Sequence, residues 1–240
     1  MLLPDQAQRE KAKSVNAQLG VISIKKPKEL LFIMDDYRLI LIKYLPENSL
    51  NLIFNWIKQY KIHLRISRSR RSKLGDFRPA YKGNPHRISI NNNLNKYAFL
   101  ITLVHEIAHL IVYEKYGNKT KPHGKEWKLA YRNLMNPFLI DKVFPEDLEH
   151  IIYQFLQNAA ASSNSNLLLA RALKKYDTEE APGQYIEELE ENSVFKLSNG
   201  KVFKKLEKRR KRFKCINIEN GKYYLFDPLA RVIPLDDDLE

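Results

Sequence analysis

The chain of 240 residues contains a single cysteine, Cys215. One cysteine excludes a disulfide framework and a zinc site with four cysteine ligands, and it is typical of a reducing compartment. The longest apolar stretch, from Phe99 to Tyr113, is shorter than the roughly 20 residues that a membrane-spanning helix needs. The N-terminus lacks a basic segment followed by a long apolar run, so no secretory signal is visible. We therefore expect a cytoplasmic protein that does not enter a membrane.

Positive charge is abundant and concentrated. The chain has 41 basic and 28 acidic residues, a formal net charge of +13. Residues 61–87 contain nine Lys or Arg against Asp76 alone, residues 201–214 contain nine against Glu207 alone, and the remainder is slightly acidic. A single charge run is usually a solvated surface. Two such runs in an otherwise slightly acidic chain favour a polyanionic partner.

DNA is the polyanion that we expect, bound through its phosphates and therefore without sequence specificity. In a bacterium the protein would then associate with the nucleoid. The candidate contacts are the basic residues of the two runs: Arg65, Arg68, Arg70, Arg71, Lys73, Arg78, Lys208, Arg209, Arg210, Lys211 and Arg212.

Changes in composition predict four segments. Residues 1–36 are polar without a sustained period, which predicts a disordered arm or an extension ahead of a start at Met34. Residues 37–160 have the mixed pattern of an α+β domain. Residues 161–192 are small or acidic and are typical of a helical and acidic linker, and residues 193–240 form a basic β module.

Hydrophobic periodicity places the elements within these segments. We predict helices at Ser49–Tyr60, from Asn95 to Gly117, at His123–Met135 with a stop at Pro137, at Pro145–Ala159 and at Leu167–Tyr176. We predict strands at Ile62–Ile66, Phe77–Tyr81 and Arg87–Asn91, and five C-terminal strands around the turns Ser198-Asn199-Gly200 and Glu219-Asn220-Gly221.

The strongest chemical signal is the run His105-Glu106-Ile107-Ala108-His109. Residues four apart share one face of a helix, so both imidazoles can bind the same metal, with Glu106 beside them. Three ionisable groups inside an apolar run would be costly to bury without a metal or other partners. A match to this motif is rare by chance in a chain with six histidines.

A catalytic zinc needs a third protein ligand and an open fourth position. The extended motif HExxHxxGxxH fails, because Val112 and Lys115 occupy its last two positions, and metzincins are thereby excluded. His123 is the favoured third ligand because Gly117 and Pro122 allow the chain to turn back before it. Glu126 is the second candidate and Glu114 the third.

The sequence resembles the SprT-like zinc metalloprotease family. The family pairs HExxH with a downstream histidine in an HGxxW or HGxxF setting, and here HEIAHL is followed by His123-Gly124-Lys125-Glu126-Trp127. The segments RSRRSKLGDFR and ISINNNLN also resemble those that precede the family's active helix, and the likeness covers about Lys43 to Phe144.

This resemblance implies a zincin-like fold with a small antiparallel sheet and one Zn²⁺ held by His105, His109 and His123. It implies that Glu106 is the general base for attack by zinc-bound water. It also implies an endopeptidase, assumed monomeric, whose substrates are proteins bound or crosslinked to DNA. The C-terminal module departs from the family, because it resembles a zinc ribbon but has only Cys215 as a possible cysteine ligand.

Two other functions fit the sequence. One is a nucleic-acid-binding or transcription-associated protein with a zinc site and little proteolytic activity. The other is a zinc peptidase without a nucleic-acid role. If the protein is a peptidase, with or without a nucleic-acid role, we expect the strand Arg87–Asn91 to pair with an extended substrate by strand addition.

Overall fold

The computed structural model describes residues 38–70, 72–157, 166–177 and 182–235. The predictions made for the arm at 1–36 and for Arg71 lie outside these residues. The chain divides into two compact units. Among the described residues, the first unit comprises those up to Pro122 together with Leu129–Val143, and the second comprises His123–Lys128 together with those from Phe144 onward.

Helix α1 of the first unit is Leu50–Gln59, directly after a 3-10 turn at Glu47–Ser49. The apolar residues Leu50, Ile53 and Phe54 recur at helical spacing, and all three are buried. This confirms the predicted amphipathic helix. Ser49 occupies the N-cap position of α1, but its Oγ donates a hydrogen bond to the Pro46 carbonyl at 2.6 Å and caps no helical N–H.

A three-stranded sheet follows α1. Its strands are β1, His63–Ser67, β2, Gly75–Arg78, and β3, Arg87–Asn91. They lie in the order β1-β3-β2, with β3 parallel to β1 and antiparallel to β2. The sheet is therefore mixed, whereas the resemblance implied an antiparallel one, because β2 folds back on β3 and the longer connection brings β3 parallel to β1.

Strand β3 is the central strand of the three-stranded sheet. Because β3 pairs with β1 on one side and β2 on the other, it has no edge at which an extended peptide could add. The predicted strand addition at Arg87–Asn91 is therefore wrong.

Helix α2, Lys96–Tyr116, is the central element of the first unit. The Asn95 side chain accepts a hydrogen bond from the Ala98 N–H at 2.9 Å and caps its start, and Gly117, with φ of 59°, ends it. The segment Lys96–Lys119 is long and apolar enough to cross a membrane, but 72% of its apolar window is buried within the protein. Core helices of soluble proteins pass the same test.

Helix α3, Lys125–Ile140, continues past the predicted stop at Pro137. Proline removes one intrahelical hydrogen bond, but burial of Met135 and Phe138 offsets that loss. The Phe138 ring also packs edge-on against Trp56, with ring centroids 5.5 Å apart. Tertiary packing here outweighs the local signal.

The second unit contains helices α4, Glu146–Gln157, and α5, Leu167–Lys174, and a six-stranded antiparallel sheet. The sheet order is β4-β9-β5-β6-β7-β8. The strands are β4, Gln184–Tyr185, β5, Val194–Lys196, β6, Val202–Arg209, β7, Arg212–Asn217, β8, Tyr223–Phe226, and β9, Arg231–Leu235. The protein is thus of the mixed α+β class, as predicted.

The core of this sheet consists of apolar side chains from alternate strand positions, including Phe195, Phe203, Phe213 and Cys215. Gly200 and Gly221 adopt positive φ in the two predicted hairpin turns, where glycine carries no steric cost. Ile186, just after β4, is also part of this core. The sheet therefore begins within the interval that the composition assigns to a linker.

Candidate metal centre

Three histidines meet at one point in the structure. Each of His105, His109 and His123 offers a ring nitrogen, and these nitrogens all lie within 4.8 Å of one another. The Nε2 atoms of His105 and His109 are 3.1 Å apart. Two ligands on a tetrahedral zinc with bonds of about 2.0–2.1 Å are separated by about 3.3 Å, so this spacing suits one shared metal ion.

Helix α2 explains how the first two imidazoles come together. His105 and His109 are one helical turn apart on α2, and their rings pack edge-on with centroids 4.9 Å apart. The fully buried ring of Tyr131 packs against His105 at 5.7 Å. Its hydroxyl donates to the Ile101 carbonyl at 3.4 Å, so Tyr131 supports α2 from α3.

His123 adopts an unusual backbone conformation just before α3. Its φ is 58°, in the left-handed region that few residues other than glycine occupy, and such strain is common at functional sites. Its ring packs edge-on against Trp127 with centroids 4.6 Å apart, and Trp127 is buried. The tryptophan of the HGKEW run therefore orients the histidine.

The protonation state of His123 suits a metal ligand. Burial lowers the pKa of this imidazole, which favours the neutral form. Neutral imidazole is the form that binds zinc, and a set of three histidines leaves the ion with its full positive charge. The residues present therefore fit a zinc ion.

The other candidate third ligands do not join this cluster among the residues that the structure describes. Glu114 lies on α2 but approaches His86, with 3.1 Å between its Oε1 and the His86 Nε2. Glu126 is half-buried on α3 and is not part of the group. The geometry thus favours His123.

Glu106 is buried next to the two helical histidines, and only 7% of its surface is exposed. Its carboxylate accepts a hydrogen bond from the backbone N–H of Phe77 on β2. Burial raises its pKa to about 8, and the negative charge of Asp76 adds to this effect. A cation held by the histidines would favour the ionised form, which can accept a proton.

Gly75 is a part of this site that sequence reasoning missed. A Cβ atom built on Gly75 would lie 2.6 Å from the Glu106 Oε1 and 2.9 Å from the Thr102 Cγ2. Only glycine allows β2 to approach α2 so closely. The lone glycine in the run KLGD was the available signal, because an isolated glycine in a strand often marks such an approach.

The first basic run proves heterogeneous. Arg70 is half-buried and donates to Asn91 Oδ1 at 2.8 Å and to Ser89 Oγ at 3.1 Å. Lys73 and Arg78 both pair with Asp76, at 2.6 and 3.1 Å. Arg65 and Arg68 are exposed. Some of the predicted DNA contacts therefore also hold the fold together.

The second basic run forms a hairpin tip between β6 and β7. Arg209 pairs with Glu207 at 3.3 Å, and the Lys208 ammonium lies 5.5 Å from the centre of the Phe213 ring. Arg210, Lys211 and Arg212 are exposed at the tip itself, where Arg210 has a φ of 53°. Among the described residues, these three side chains form no ion pair and no cation–π contact, whereas Lys208 and Arg209 each have one.

Comparison with known proteins confirms the resemblance over part of the chain. Residues 45–150 match the model of the SprT-like family, which indicates a metalloprotease-like domain. Proteins named Protein SprT from Pseudomonas fluorescens (strain Pf0-1) and Pseudomonas aeruginosa (strain LESB58) are each 46% identical over 33 residues, 14% of this chain and 20% of each relative. Protein SprT of Glaesserella parasuis serovar 5 is 48% identical over 31 residues, 13% of this chain and 19% of the relative.

The matched segments thus span about a fifth of the length of these curated relatives. No solved structure matches the chain.

Proposed function

We propose that this protein is a zinc-dependent endopeptidase that acts on proteins bound or crosslinked to DNA. The observation that carries the proposal is the convergence of His105, His109 and His123 beside the buried carboxylate of Glu106. A structural zinc site has no need of a buried carboxylate that is not a ligand. The match of residues 45–150 to the SprT-like family supports the same interpretation.

The chain's own groups divide the chemistry between them. Zinc, when bound by the three histidines, supplies a Lewis acid that polarises the scissile carbonyl and makes water more acidic. Glu106 accepts the proton of the attacking water and passes it to the leaving amine. The Phe77 N–H holds this carboxylate in place, and Trp127 orients His123. These contacts pre-arrange the reacting groups before substrate binds.

The DNA association rests on charge. The chain carries a net charge of +13, and its exposed basic side chains include Arg65 and Arg68 in the first unit and Arg210, Lys211 and Arg212 in the second. Phosphate contacts of this kind bind DNA without reading its sequence. A protease recruited in this way could act wherever its substrate lies on DNA.

The first test is cleavage of a basic DNA-binding protein by the zinc-loaded full chain, with and without DNA. We expect cleavage that DNA accelerates. Glu106→Gln should reduce the rate by about 10²- to 10⁴-fold, because the general base is removed, while zinc content by elemental analysis stays at one ion.

Glu114→Gln is the matched control, since it makes the same change on the same helix and should leave the rate unchanged. Cleavage that does not depend on DNA would remove the DNA role and keep the peptidase. Zinc and DNA binding without any cleavage would favour a nucleic-acid-binding protein with a metal site instead.

A further inference from the structure

The three-stranded sheet has two chemically different faces. Gly75 and Phe77 of β2 alternate with Asp76 and Arg78, and Gly75 approaches Glu106 of α2. The even-numbered residues of β2 therefore lie on the opposite face. The cross-strand register places Arg65 of β1 on that same face, together with Arg87 and Ser89 of β3. Helix α2 therefore packs on the first face of the sheet and not on this second one.

A pocket of about 190 Å³ lies on this opposite face. Four arginines line it, one from each strand and one from the loop after β1: Arg65, Arg70, Arg78 and Arg87. The single acidic side chain in the lining is Asp76. We call this the arginine pocket. Its volume is about six times the roughly 30 Å³ that one water molecule occupies in the liquid, enough for a tetrahedral oxyanion with some of its water.

Most of the negative charge in the pocket is already compensated. One oxygen of Asp76 pairs with Lys73 at 2.6 Å and the other with Arg78 at 3.1 Å. Arg70 is held by Asn91 and by Ser89. Among the residues that the structure describes, Arg65 and Arg87 form neither an ion pair nor a side-chain hydrogen bond. Two guanidinium groups thus face the pocket without a counter-charge.

The strand register adds an electrostatic cost. Arg78 and Arg87 are directly opposite each other in the β2–β3 pair. Like charges at directly opposed positions destabilise a sheet. Asp76 pairs with Arg78 and offsets part of this repulsion, and an anion between the two guanidinium groups would offset the part that remains at Arg87. A bound anion would thus account for the presence of two opposed arginines at this point of the sheet.

The hydrogen-bond donors that line the arginine pocket favour one class of anion, a phosphate. Guanidinium groups present planar pairs of N–H donors that match the oxygens of a phosphate, and they bind it more specifically than a point charge does. The Ser89 hydroxyl accepts from Arg70 at 3.1 Å, which leaves its own proton for a further oxygen. A cation is excluded by the excess of positive charge.

We propose that the arginine pocket binds one phosphate group of a nucleic-acid backbone, on the sheet face opposite helix α2. The nucleic-acid source rests on the proposed function, whereas recognition of phosphate rests on the pocket alone. Arg68 is exposed and lies in the chain between the lining residues Ser67 and Arg70, so it adds positive charge beyond what a single phosphate needs and favours a polymer over a free ion. DNA held here would lie on the sheet face away from helix α2, which carries Glu106, His105 and His109.

The test uses the double variant Arg65→Gln/Arg87→Gln in the zinc-loaded full chain. Neither side chain supports the fold through a described polar contact, so thermal stability should be unchanged or slightly raised. The matched control is Arg38→Gln/Arg132→Gln, which removes the same charge from exposed positions of the first unit. Two probes are titrated: inorganic phosphate at constant ionic strength by calorimetry, and single-stranded oligothymidine by fluorescence anisotropy at several salt concentrations.

We expect the pocket variant to bind phosphate about tenfold more weakly than the control does, as the removal of two charge-assisted hydrogen bonds implies. We expect its salt slope for oligothymidine to fall by about 0.7, the value for one phosphate on a single strand. Phosphate binding equal in both variants overturns the pocket. Weakened phosphate binding with an unchanged slope overturns the nucleic-acid source and indicates a free phosphate. If the unsubstituted protein does not bind DNA at all, the proposed function fails, and the phosphate titration still decides the pocket.

Discussion

At the scale of single residues, the third ligand is the most informative position. His123 lies next to α3 in a left-handed conformation, and its ring is held by Trp127. Removal of a residue that only orients a zinc ligand typically weakens zinc binding by about 10- to 100-fold. We expect a larger loss of zinc affinity for His123→Ala, because this change removes a ligand itself. Zinc retained after dialysis against a competing chelator measures this effect. Glu126→Gln, three residues further on, should keep its zinc, and the reverse result would make Glu126 the ligand.

Gly75 supports a second prediction at this scale. Gly75→Ala places a methyl group 2.6 Å from the Glu106 Oε1 and 2.9 Å from the Thr102 Cγ2, so β2 or Glu106 must move. We expect a decrease of about 1–3 kcal/mol in the free energy of unfolding, measured with urea, and lower peptidase activity.

A matched background separates this steric effect from a change in strand propensity. In the variant Glu106→Ala/Thr102→Ser the atoms nearest to the added methyl group are gone, while the hydroxyl at position 102 remains. Gly75→Ala should then cost much less. An equal cost in both backgrounds would show that the close approach is not the cause.

These residues also show what the sequence could and could not predict. The spacing of His105 and His109 is a helical pattern, so local reasoning was sufficient to find them. The choice among His123, Glu126 and Glu114 depended on how α3 returns to α2, which no local pattern encodes. Gly75 was missed for the same reason, because its role depends on a helix that begins 21 residues later.

At the scale of elements, Arg70 fastens the loop after β1 to β3. Its guanidinium donates to Asn91 and Ser89, and the Asn91 amide in turn donates to the backbone carbonyls of Arg70 and Lys73. Asn91 is 1% exposed, so it cannot replace a missing partner with water. The loop and the strand are thus ordered together.

We expect Arg70→Ala to reduce the free energy of unfolding by about 1–3 kcal/mol, since a buried acceptor is deprived of a charged donor. Arg68→Ala, two residues earlier and exposed, should change it by less than about 0.5 kcal/mol. Urea unfolding of both variants makes the comparison. Equal stability of the two would mean that the hydrogen bonds of Arg70 contribute nothing to the free energy of unfolding.

The bounds of helices and strands are predicted well where the local pattern sets them and poorly where tertiary contacts do. The strand Arg87–Asn91 was predicted with its correct bounds because Ile88 and Ile90 alternate with polar residues. Strand β2 begins at Gly75, earlier than the predicted Phe77, because its pairing with β3 and not its composition sets its start. Helix α3 passes Pro137 because buried neighbours outweigh one missing hydrogen bond. Propensity thus fails where packing is strongest.

At the scale of the whole molecule, positive charge is distributed over both units. The hairpin tip of the second unit carries Arg210, Lys211 and Arg212, while Lys208 and Arg209 before it already have partners in Phe213 and Glu207. A side chain that is already engaged has less to gain from a phosphate than an unengaged one. The tip residues should therefore dominate binding by this run.

We expect the triple variant Arg210→Ala/Lys211→Ala/Arg212→Ala to flatten the salt dependence of DNA binding, by about one unit of slope for each phosphate that the protein no longer touches. The pair Lys208→Ala/Arg209→Ala should have a smaller effect for each charge removed. The control Lys58→Ala/Lys96→Ala/Lys115→Ala removes the same net charge as the triple variant from the first unit. If that control flattens the slope as much as the tip variant does, the overall charge and not the hairpin binds DNA, because a long-range field responds to the number of charges and not to their position.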